Sequence, residues 1–121
     1  METLYIRLGG EHVIEKAVDL LYSKVRDDKS LAPFFEGLDM PRQKRMFRLF
    51  LNTVTEGPLG RVGVELRSAH AHAVNEGLSQ QHMVSFLEHL RSAFTELKLE
   101  PDVVEGVVKL LASYSDDVLG L

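Results

Sequence analysis

An all-α fold is predicted for this chain by three observations. Apolar residues recur at intervals of three and four. No stretch alternates polar with apolar as a half-buried strand would. The interruptions fall at glycine and proline, the residues that punctuate helices. The 121 residues suit one compact domain spanning 1–121. Hydrophobic content is 45% and charged content 26%, the profile of a globular protein with one core.

The breaks at Gly9-Gly10, Pro33 to Pro41, Gly57-Pro58 through Gly63, Gly77 and Glu100-Pro101 divide the chain into five helical segments. The first is expected from Glu11 to Val25, with Ile14, Ala17, Val18, Leu21, Tyr22 and Val25 on one stripe. The second runs from Met40 to Thr55, with Asp39 as N-cap and Pro41 in the first turn. Its stripe is Gln43, then Met46 or Phe47, then Phe50 and Val54. A short third segment covers Glu65 to Asn75 and is ended by Gly77. The fourth extends from Ser79 or Gln80 to Lys98 and aligns Met83, Phe86, Leu87, Leu90, Phe94 and Leu97. The fifth starts at Pro101, where Asp102 and Glu105 suit the dipole of the first turn. It aligns Val104, Val107, Val108, Leu111, Ser115 and Val118 as one face. The last two helices, joined by a tight turn, should pack antiparallel.

Net charge is −4 and the basic residues are spread along the chain. That pattern forms no stripe for nucleic acid or for an anionic membrane. No apolar run approaches the ~20 residues of a membrane span; Lys109 splits the most apolar stretch. The N-terminus lacks the apolar core of an export signal, so a cytoplasmic location is expected. Cysteine is absent, which removes disulfides, thiolate metal sites and cysteine nucleophiles. Metal ligation then falls to His12, His70, His72, His82 and His89, to carboxylates, or to methionine sulfur.

Four sets of residues draw notice. Tyr22 and Gln43 are polar residues at apolar stripe positions. A buried phenol needs a hydrogen-bond partner. By itself Tyr22 reads as a core tyrosine reaching a carbonyl or the surface, and Gln43 as the wet edge of its stripe. The other reading of Gln43 is a donor pointing into a polar pocket within an apolar cavity. His70 and His72 are two apart on a helix and so face different sides. Leu66, Ala69 and Ala73 keep His70 on the apolar side, where it is either a satisfied structural histidine or a ligand. His12, His82 and His89 read as solvated. Phe34 and Phe35, between Pro33 and Gly37, either plug the helical core or pack on a flat ligand.

In joint order and spacing, these residues resemble the truncated haemoglobins. The order is Leu4-Tyr5, Leu8-Gly9-Gly10, Tyr22, Phe34-Phe35, Asp39-Met40, Gln43, Phe50-Leu51, Glu56-Gly57-Pro58, Leu66-Arg67, Ala69-His70 and Gly77-Leu78. The likeness is greatest to the first group, which includes the cyanobacterial-type globins, and it covers nearly the whole chain. It implies a two-over-two helical sandwich around haem b (iron protoporphyrin IX), with a nearly absent first helix. By the resemblance, His70 is the proximal ligand to iron, and Tyr22 and Gln43 are the distal donors. Phe34, Phe35, Met46, Phe47, Phe50, Leu66, Phe86 and Leu90 are the expected haem contacts. The glycines at 9, 10, 57, 60 and 63 are expected to permit sharp connections. Some relatives carry a distal histidine near the positions of Met46 and Phe47, and some a C-terminal histidine that bonds haem. This chain has neither.

The resemblance implies a protein that binds O2, NO and CO reversibly and serves O2 binding and transport, and not a dedicated enzyme. A second reading is enzymatic: conversion of NO to nitrate, or peroxidase-like turnover, with electrons from an external reductase. A third is a haem-free helical interaction module. The chain is expected to be a monomer, with no nucleic-acid or membrane partner.

Overall fold

The computed structural model describes residues 3–56 and 62–120. Among them every regular element is helical: α1 Leu4–Leu8, α2 Glu11–Arg26, a 3-10 turn Ala32–Phe35, α3 Met40–Glu56, α4 Val62–Asn75, α5 Gln80–Glu96, α6 Pro101–Ala112 and α7 Ser115–Leu119. No helix among the described residues is long and apolar enough to cross a membrane.

Three differences from the sequence expectation stand out. The opening residues form a helix of their own, capped by the Thr3 hydroxyl, which accepts from the Ile6 amide at 3.2 Å. The third helix starts at Val62, so Gly63 lies inside it and the connection before it is shorter than expected. Gly57, Pro58 and Gly60 lie outside the described residues. The fifth segment is two helices, α6 and α7, separated at Ser113 and Tyr114.

Local chemistry sets most of the boundaries. Asp39 Oδ1 accepts from the Arg42 amide at 3.1 Å and so caps α3. At the start of α5, the Ser79 amide donates to His82 Nδ1 at 3.0 Å while Ser79 also caps the third residue, a reciprocal capping box. Between α1 and α2 the chain turns through Gly9 at φ 100° and Gly10 at φ 79°. A Cβ on Gly9 would lie 2.6 Å from Val13 Cγ2, so glycine is needed there both for its backbone angle and for the close approach of α2.

The core lies where α2, α5 and α6 meet. Ile14, Leu21, Leu90, Phe94, Val104 and Val107 have at most 1% of their surface exposed. Helix α2 packs on α3 and α5, α5 on α6, and α4 on α7. Arg7 on α1 pairs with Asp102 on α6 at 2.8 Å, and Lys24 on α2 pairs with Glu96 on α5. Helix α3 carries Gln43 and Phe47, and α4 carries His70.

Candidate functional site

Tyr22 lies at the centre of the site. It projects from the buried face of α2 and is 3% exposed. Its ring is met edge-on by three phenylalanines from three elements: Phe35 at 5.7 Å, Phe47 at 6.1 Å and Phe86 at 6.2 Å between centroids. Edge-to-face contacts of this kind fix ring orientation. Phe47 extends the wall to Phe86 at 5.4 Å and to Phe50 at 6.2 Å. Phe50 in turn meets Tyr114, at the α6–α7 break, at 5.5 Å.

The polar contact inside this aromatic wall is Gln43 Nε2 donating to Tyr22 Oη at 3.3 Å. The phenol oxygen therefore accepts from α3, and its own proton is left to donate elsewhere. Burial pushes the phenol's pKa up to about 12, against a smaller lowering from the Gln43 hydrogen bond. Tyr22 is thus a neutral donor at every ordinary pH.

His70 sits half-buried on α4, with Nδ1 2.8 Å from the Leu66 carbonyl oxygen. A carbonyl only accepts, so Nδ1 carries the proton and Nε2 offers its lone pair. That is the tautomer a metal ligand requires, held by a backbone partner one turn away. The donor chemistry fits haem iron. An oriented neutral imidazole is on α4, and half-buried Phe35, Phe47, Phe50 and Phe86 provide an apolar, aromatic lining for a flat macrocycle. Leu66 is half-buried one helical turn before His70, and Leu90 is fully buried in the core.

The remaining sequence candidates separate. Of the pair left open at 46 and 47, Phe47 is the one against Tyr22; Met46 is 53% exposed. Phe34 turns away from Phe35's cluster and lies edge-on to His82 at 4.9 Å. His72 is exposed and 3.7 Å from Glu76. Two histidines read as solvated are not. His82 is half-buried and accepts from the start of its own helix. His89 Nε2 lies 2.7 Å from Asp28 Oδ2, with 27% of the His89 side chain and 19% of the Asp28 side chain exposed. Asp28 also accepts from the Ser30 amide and hydroxyl at 2.9 and 2.7 Å. It thus ties the segment leading to Phe34 and Phe35 onto α5. Tyr114 was not among the expected site residues; its signal is an aromatic just past a helix end.

Comparison with known proteins finds matches over nearly the whole chain. The family model for bacterial-like globins matches residues 3–119. A group 1 truncated hemoglobin of Tetrahymena pyriformis is 30% identical over 98% of this chain and 96% of its own length. One from Synechocystis is 31% identical over 98% of each. Among solved structures, the 2/2 hemoglobin from Synechococcus sp. PCC 7002, in a cyanomet state with covalently attached heme, superposes with a TM-score of 0.89. It is 31% identical, over 99% of this chain and all of the other.

Proposed function

The chain belongs to the bacterial-like globins, as a truncated haemoglobin of group 1, and from that membership we propose that it is a haem b protein that binds O2 reversibly through His70, Tyr22 and Gln43. The family binds diatomic gases at haem; the residue roles and the choice of O2 are this proposal. When bound, the haem supplies an iron with one open position for a diatomic ligand.

The protein's own residues do the rest. His70 would hold the iron through Nε2, its ring fixed by the Leu66 carbonyl. Phe35, Phe47 and Phe86 exclude water and brace Tyr22. Tyr22 holds a proton where a ligand drawing negative charge would accept it. O2 draws more charge than CO, so this donor favours O2. Gln43 orients the phenol by donating to its oxygen. Met46 and Leu66 would add further apolar contacts to the macrocycle.

The observation that carries the reading is the buried Tyr22 phenol, which accepts from Gln43 and keeps its own proton free for the pocket. Optical spectra in ferric, ferrous and CO-bound states test it. Purified protein should show a Soret band that shifts on reduction and on CO addition, and His70→Ala should lose it. Protein that is colourless, and stays so after incubation with hemin, would overturn the reading.

A further inference from the structure

Helix α3 carries Arg42, Lys44, Arg45 and Arg48 against a single acidic residue, Glu56, at its far end. The whole chain is net negative at −4, so this helix is a local reversal of sign. The four cations divide by face. Lys44 and Arg48, one turn apart, are neutralised by α2: Lys44 pairs with Asp19 at 3.2 Å and Arg48 with Glu11 at 3.7 Å. Arg42 and Arg45 are exposed and make no ion pair among the described residues. The nearby Asp39 carboxylate is occupied in capping α3.

Arg42, Arg45 and Leu49 fall on one helical stripe at spacings of three and four. Leu49 is 55% exposed. Two unneutralised guanidinium groups thus precede a large exposed apolar side chain on the same stripe. Arginine is enriched at protein interfaces. The same helix turns Gln43 and Phe47 inward to Tyr22. The stripe therefore shares one helix with two residues that contact Tyr22.

We propose that the α3 rim of Arg42, Arg45 and Leu49 docks a small acidic electron-transfer protein that returns the ferric iron to the ferrous state; this rests on the haem reading above. In that step the donor's reduced iron–sulfur cluster loses one electron, the iron gains it, and no proton or group moves. A patch one helix wide suits the small, short-lived interfaces of redox encounters. Its charge is too sparse for an anionic bilayer, which is read by clusters of roughly four to eight basic residues.

The test uses the protein as purified and a plant-type [2Fe–2S] ferredoxin as acidic probe. Docking is read by calorimetric titration, which does not depend on haem content. Electron transfer is read by anaerobic stopped-flow mixing of reduced ferredoxin with ferric protein, and haem content by the Soret band. Affinity should fall at least tenfold between about 20 and 200 mM salt. Arg42→Glu with Arg45→Glu should slow reduction at least tenfold, and Leu49→Glu should weaken docking, both with the Soret band kept. Lys109→Glu, a reversal on α6, should change neither by more than about twofold. Unchanged docking in the double reversal, equal binding of a basic cytochrome, or the same residue dependence toward phosphatidylserine vesicles would each overturn the proposal. So would loss of haem with docking intact, because the arginines would then be holding the cofactor. A colourless protein that still docks ferredoxin at this rim would sink the haem reading and leave the surface standing.

Discussion

Replacing Tyr22 by phenylalanine separates the two partners of one hydroxyl. The ring is 3% exposed and braced by three phenylalanines, so the ring of the variant should keep the same position. The lost internal bond is a long one, 3.3 Å from Gln43 Nε2, and Gln43 is only half-buried. Its removal should cost the fold about 0.5–1 kcal/mol. The hydrogen bond to a negatively polarised ligand contributes more, roughly 1.5–3 kcal/mol, which is about ten- to hundredfold in a dissociation rate. O2 release should therefore quicken by that factor, and CO release by much less. The assay is stopped-flow displacement of each gas in wild type and variant. In the wild type, O2 release should also stay flat with rising pH until the phenol begins to ionise near 12. Equal acceleration for the two gases, or no acceleration for O2, would refute the donor role.

Other substitutions check the rest of the structure. Gln43→Leu should quicken O2 release by less than Tyr22→Phe, because Gln43 acts through the phenol; a larger effect would make it the direct donor. Gly9→Ala should lower stability by about 1–3 kcal/mol, measured by urea unfolding. Adding Val13→Ala should recover only the steric part, since the backbone angle of 100° remains. Phe94→Ala, at a fully buried ring, should cost about 3–5 kcal/mol in the same assay. The His89 and Ser30 hydrogen bonds hold the Asp28 carboxyl down from 3.8 to about 2. A carboxylate depressed in the fold contributes stability above 3.8 and loses it as pH falls toward 2. Urea midpoints across that window should drop in wild type and drop less in Asp28→Asn.

Most of the fold was legible because helices announce themselves locally. Asp39, Pro41 and Gly77 mark ends through cap chemistry, the whole α2 stripe is buried as its periodicity requires, and Leu87, Leu90 and Phe94 of the α5 stripe are buried with it. Tyr22 and Gln43 stood out because each is a polar residue on an apolar face; the family resemblance paired them, and the fold brings them within a hydrogen bond. The α6–α7 break was hidden. Leu111, Ser115 and Val118 keep the helical spacing across it, and all three are buried as one face would be. The His89–Asp28 pair joins residues 61 apart, and no local pattern reports such a contact. Whether Met46 or Phe47 faces inward was ambiguous because both lie at the margin of the α3 stripe. Only packing against Tyr22 and Phe86 decides for Phe47.

Helix α4 leans chiefly on α7, and Arg67 reaches Asp117 across that contact at 3.4 Å. The helix that bears His70 thus takes its footing from residues 115–119. Slackness introduced within α7, as by Val118→Gly, would pass through that contact to α4 and loosen the aim of the imidazole.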